Sequence, residues 1–339
     1  MLKPLITAAL LSLPLPLLAE TTPPPEAEPV LRGHILPGFA ALAGSAARLS
    51  DAAQADCAPE SDGLRSAWNA AFDDWLAVSH LRFGPTETDN RGFALAYWPD
   101  SRGTMPKALK KLFDTQDPII TSPGGMDSVS VAARGFYALE YLVFDPKYRA
   151  DPVYACALTR ALAADVAAMA GAISHEWAEA YGALLLTPGS AFSPYASAEK
   201  VRQELYKALY MGVQFTADMR LGRPLGSFDK PRPDRAEMRQ AGRSQRNVAL
   251  SVRALKSLAV ILSEGDAALV ADVTAAFDTA IAQAEALADD PVFDGVSDPG
   301  QRFKIEVLKQ TLDLIKEQQL ANIGNKLGVA AGFNALDGD

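Results

Sequence analysis

The chain has 339 residues, 49% of them hydrophobic and 22% charged, enough to bury a sizeable core and to predict two domains. A net charge of −9 gives a nucleic-acid partner no electrostatic support. Three histidines in all (His34, His80, His175) nearly exclude a zinc site rich in imidazole.

Met1–Ala19 reads as a cleavable secretory signal, with Lys3, the apolar run Leu5–Leu18 and Ala19 before Glu20. Pro14 and Pro16 interrupt that run, which is too short for a good membrane span, so the expected mature protein is soluble, exported to the periplasm and without a transmembrane span. Residues 20–29 are Pro-rich and predict a disordered leader. From Val30 onward the apolar residues recur at helical spacing and no run reads as a strand, so the predicted fold class is all-α.

The predicted helices begin with Val30–Ala55, then one capped by Ser61 and reaching His80, with Leu64, Trp68, Phe72 and Trp75 on its core face. A turn-rich loop follows over Leu81–Ser101, then a short helix near Pro106–Asp114. Ser128–Phe144 is apolar almost all round, as a buried helix is. A long Ala-rich helix covers Pro152–Leu185, and Thr187–Ser197 is the domain boundary. Ala198–Arg220, Asp234–Leu262, Asp266–Ala288 and Pro299–Gly328 complete the chain. Long helices on short loops predict two bundles side by side, residues 30–190 and 195–339. Cys57 and Cys156, the two cysteines, form an even pair in an exported chain, which predicts one disulfide.

The candidate site centres on Gly135-Phe136-Tyr137-Ala138-Leu139-Glu140. Glu140 is costly to bury unless something pairs with it, and Tyr137, three residues earlier, shares its helix face. Gly135 removes a side chain, so a backbone or ligand can approach closely. A structural alternative stands beside this one: a buried Glu140 satisfied by an arginine of a neighbouring helix.

His80 and Arg82 either line a pocket mouth, with His80 titrating near neutral pH, or cap the preceding helix. Arg239, Arg243, Arg246 and Arg253 fall on one helix face, turned to solvent or to the other domain, where Arg243 could pair with Glu140 or an anion. His175 and Glu179 are four apart, but with no third ligand nearby a solvated face is favoured over a metal pair. HExxH, G-x-S-x-G and phosphate-binding glycine loops are absent.

Taken together, GFYALEYLVF (135–144), HLRFGP (80–85), AGRSQRN (241–247) and LGVAAGFNALDGD (327–339) resemble the imelysin family of bacterial envelope proteins. The family hallmark is Gly-x-His-x-x-Glu on a buried helix followed by an apolar run. The resemblance implies two helical bundles with a site near their interface, iron-regulated expression, iron uptake, and a metallopeptidase classification. Tyr137 stands where the family has histidine, leaving only oxygen donors at Tyr137 and Glu140. That set favours harder ions, iron over zinc, and argues against a zinc hydrolase.

The leading expectation is therefore an exported iron-related protein that binds a metal ion or small anionic ligand between its bundles. Glu140 and Tyr137 would be its metal ligands, with Gly135, His80, Arg82 and Arg243 around them. Envelope iron-transport or redox proteins are the expected partners. The alternatives are a metallopeptidase, and an interaction module in which Tyr137 and Glu140 are only core.

Overall fold

The computed structural model describes residues 22–329. The predicted signal, Met1–Ala19, and the motif's end after residue 329 lie outside them. Among the described residues the fold is all-α, with no strand beyond one isolated bridge between Ser227 and Lys230.

Ala27–Val30 and a wider π-helical turn, Leu31–Ile35, lead without a break into α1 (Leu36–Ala55). The described part of the leader, residues 22–29, is thus not loose as expected: Ala27 is fully buried, and Glu26 pairs with Arg202 and Lys326. Pro and Glu mark solvated sequence, but here Pro24, Ala27 and Val30, three residues apart, pack inward.

α2 (Asp62–Val78) starts where Ser61 Oγ accepts from the Leu64 amide at 3.3 Å. Leu64, Trp68, Phe72 and Trp75 recur every third or fourth residue and form its buried stripe. α3 (Thr104–Thr115), α4 (Gly135–Phe144) and α5 (Pro152–Glu176) follow, α5 continuing through a π-turn, Trp177–Tyr181, to Leu186. The second half holds α6 (Ala198–Phe215), extended by a π-turn, Thr216–Leu221, then α7 (Ser244–Ser263), α8 (Ala267–Glu285), α9 (Pro299–Glu317) and α10 (Gln319–Leu327).

α5 packs against α1 and α4, and α1 against α2, while α8 packs against α7, α9 and α10. Residues 152–186 and Ala267–Glu285 reach the length and hydropathy of a membrane span, and both have these helix neighbours. The two sets of helices meet where α7 lies along α2. Cys57 and Cys156 form the expected disulfide, joining the turn after α1 to the start of α5 with Cα atoms 5.2 Å apart.

Two predicted helices start late for backbone reasons. α4 begins at Gly135, not Ser128, because Gly135 sits at φ +72° and the stretch before it makes a 3-10 turn, Val131–Ala133. α7 begins at Ser244, not Asp234, because Met238 (φ +49°) and Gly242 (φ +69°) hold residues 236–243 in an irregular loop.

Candidate functional site

Gly135 fixes the position of α4. A Cβ on it would lie 2.1 Å from the Ala94 carbonyl oxygen, so it is a backbone that comes close here. Two residues later Tyr137 is buried, yet its hydroxyl does not meet Glu140. It donates to Oε1 of Glu237, in the loop before α7, at 2.6 Å. The other oxygen, Glu237 Oε2, accepts from Arg220 Nε and Asn247 Nδ2, both at 2.9 Å. Arg220 Nη1 also reaches Thr216 Oγ1 at 3.3 Å, and its guanidinium lies 4.9 Å from the Phe215 ring centre. Glu237, Arg220 and Asn247 are each no more than 5% exposed, so this network is shielded from bulk solvent and its charges are mutually compensated.

Glu140 is held separately. Its Oε1 accepts the Ala241 amide at 3.1 Å, and burial pushes its carboxyl up to about 7 against the help of that amide. Burial, then the Glu237 charge, holds the Tyr137 phenol well above its ordinary value. The expected Tyr137–Glu140 pair is thus replaced by Tyr137–Glu237. Three residues apart put both side chains on one face, but their tips diverge around the Trp98 ring, which stacks on Tyr137 with centroids 6.3 Å apart.

That stacked pair separates two cavities. One, about 250 Å³, is bounded by α2, α6 and α7 together with Trp98, Tyr137 and Glu237. The other, about 420 Å³, is lined by Glu140, Tyr141, Arg223, Asp234 and Gln240, with Trp98 and Tyr137 forming the shared wall.

The remaining sequence candidates divide. His80 lines the first cavity but is buried, and its Nε2 lies 2.9 Å from Nε2 of His34. His34 Nδ1 in turn lies 3.3 Å from Ser257 Oγ on α7. Burial, then His34 and Arg220, press His80 well below its ordinary value, which replaces the expected titration near neutral pH. Arg82 lies at the rim of this cavity, paired with Glu87 at 2.5 Å.

Arg243 does not neutralise Glu140 directly. It precedes α7 and gives its donors to Asn247, Asn69 and Asp73, and Arg246 holds the same Asp73. The arginine face therefore turns partly to the first set of helices, and its acid is Asp73 of α2. Arg239 leaves the face altogether and pairs with Asp294. Among the described residues no group of three or more His, Cys, Asp or Glu could hold a metal ion, and His175 with Glu179 gains no third member.

Sequence reasoning missed His34, Arg220 and Glu237. His34 and Arg220 both lie in π-turns (Leu31–Ile35 and Thr216–Leu221), where the extra residue per turn re-aims a side chain off the helical register. In the helix expected over residues 234–262, Glu237 would share the apolar face with Val248 and Leu255, pointing into its own bundle rather than across to Tyr137. The periodic signal that existed was an acid, Glu237, in register with Val248 and Leu255, and a base, Arg220, in register with Leu205, Leu209 and Val213.

The order of motifs along the chain has a counterpart in comparison with known proteins. A statistical description of the imelysin family matches residues 35–319. The chain belongs to the imelysin family. An imelysin-like protein of Psychrobacter arcticum shares the fold with a TM-score of 0.72 at 19% identity, over 91% of this chain and 96% of that one. A candidate iron-regulated protein A precursor of Parabacteroides distasonis gives 0.73 at 13% identity, over 89% and 95%. Iron-regulated protein A of Synechococcus elongatus is 25% identical over 214 residues, which is 60% of this chain and 54% of that protein. This imelysin-family chain therefore spans about half the length of that relative.

Proposed function

We propose that this imelysin-family chain is an exported, iron-responsive protein that holds a small organic ligand between its two bundles, at the wall made by Tyr137, Glu237 and Arg220. The observation that carries this reading is the buried network itself. A tyrosine from one bundle and an acid, an arginine and an asparagine from the other converge at the edge of a cavity. Polar groups of that kind orient a ligand in a mostly apolar pocket. The link to iron rests on the names of two relatives, and export rests on the signal-like start of the chain and on one relative being a precursor.

The donor set fits a bare iron or zinc ion poorly. Tyr137 would have to lose a proton that burial and Glu237 both retain. Glu237 would have to give up Arg220, and Glu140 is turned toward the second cavity. For the same reason a metallopeptidase is the weaker reading: Tyr137 and Glu237 are committed to each other and to Arg220, and His80 is a single imidazole at the cavity wall.

The test is native mass spectrometry with elemental analysis of the protein purified from the periplasm of its own host. The expected result is a chain beginning at Glu20 that carries a small organic mass and no stoichiometric metal. One equivalent of iron or zinc, lost in Tyr137→Phe or Glu140→Gln, would overturn the organic-ligand reading.

A further inference from the structure

The 250 Å³ cavity has a specific chemical character. Its walls are Trp75, Trp98, Phe215, Leu76, Met211 and Leu255, three aromatic rings and three aliphatic chains. An apolar cavity of about 150 Å³ already accepts benzene, so this one has room for a single ring with one or two polar substituents. Trp98 is held in place by Tyr137 stacked on one side and Phe215 edge-on at 5.9 Å.

The polar groups are few and unevenly satisfied. Glu237 and Arg220 cancel each other. Ser251, on α7, is 3% exposed, lines the cavity, and its Oγ has no hydrogen-bond partner, an arrangement costly to maintain unless something from the cavity meets it. His80 uses Nε2 on His34, and its Nδ1 bonds no protein group among the described residues. The chain Ser257–His34–His80 can carry its protons in either direction, so Nδ1 of a neutral His80 can face the cavity as donor or as acceptor. At the rim, Lys207 is exposed and forms no ion pair within 4.0 Å among the described residues, while Arg82 is already paired with Glu87. Lys207, near Glu204 but not ion-paired with it, is therefore the charge at this rim left open to an anion.

We propose that this cavity receives a small planar aromatic acid. Its ring lies against Trp75, Trp98 and Phe215, its carboxylate meets Lys207 and the His80 N–H, and a ring hydroxyl meets Ser251. This rests on the reading of the bundle interface as a ligand site and adds the class of ligand.

The probes are benzoate, 3-hydroxybenzoate, benzyl alcohol and cyclohexanecarboxylate, titrated into the mature chain while tryptophan fluorescence is followed. Trp75 and Trp98 report directly. Saturable quenching by 3-hydroxybenzoate is expected, at least about tenfold tighter than benzyl alcohol, which lacks the acid, or cyclohexanecarboxylate, which lacks the ring. Ser251→Ala removes an oxygen that bonds nothing in the protein, so the fold is retained. It should weaken 3-hydroxybenzoate about tenfold and leave benzoate unchanged, a difference that a merely structural serine would not produce. Equal binding of the alcohol or the saturated acid, or an unchanged 3-hydroxybenzoate affinity in Ser251→Ala, would overturn the assignment. A different co-purified organic ligand together with no binding of aromatic acids defeats this inference alone. A bare stoichiometric metal with no organic mass defeats the underlying reading as well.

Discussion

Replacing Glu140 by Gln isolates the energetic effect of one buried carboxyl. The side chain is 4% exposed and its acid is pushed up from 4.5 to about 7 by burial, so the native state binds this proton more tightly than the unfolded chain does. The contribution of Glu140 to stability is therefore most favourable below pH 4.5, declines as pH rises toward 7, and levels off above that. At about 1.36 kcal/mol per pKa step, holding the charged form at pH 8 costs roughly 3 kcal/mol. Gln keeps a neutral oxygen for the Ala241 amide and carries no charge. Urea unfolding of wild type and variant at pH 4 and pH 8 should show the stability difference moving in favour of the variant by about 2–3 kcal/mol between the two. His34, lowered to about 4 by burial, has the opposite slope, losing stability as pH falls from 6.5 toward 4. It is present in both proteins and so cancels in the comparison. A difference that is the same at both pH values, within about 0.5 kcal/mol, would refute the account of a desolvated acid.

Asp73→Ala should cost about 3 kcal/mol in urea unfolding, because Arg243 is left buried at 2% exposure without its counter-ion. Removing the exposed partner instead, Arg246→Ala, should cost under about 1 kcal/mol, and equal losses would refute the distinction. Gly135→Ala should lower stability by more than about 2 kcal/mol, from a left-handed φ and a Cβ clash with the Ala94 carbonyl, read as a drop in thermal midpoint. Gly124→Ala has a similar φ but open space around it and should cost only about 1 kcal/mol.

The helical class, the Ser61 cap with its Trp68–Phe72–Trp75 stripe, and the disulfide were legible because each is written locally or by simple pairing. Glu140 was legible as a buried acid because its neighbours in sequence are apolar. The rest of the network was not, because its geometry depends on departures from helical periodicity. Arg220 and His34 lie in π-turns, and Glu237 lies in a loop shaped by the positive φ of Met238. Periodic reasoning puts Arg220 and Glu237 on the apolar faces of their own helices, so it cannot show that the two meet each other and Tyr137. The destination of Arg243 was half legible: its face was known, but Asp73 lies 170 residues away, and only tertiary packing brings them together.

Both cysteines of the chain are spent on a bond inside the first group of helices. Nothing covalent bridges α2 and α7 except the polypeptide itself, passing through residues 187–197. What holds these two sets of helices together is thus all reversible: an aspartate gripped by two arginines, a tyrosine donating to a glutamate, a histidine beside a serine, and packed side chains. Ionic strength and acidity act on contacts of that kind, whereas the disulfide that staples the first group responds to neither.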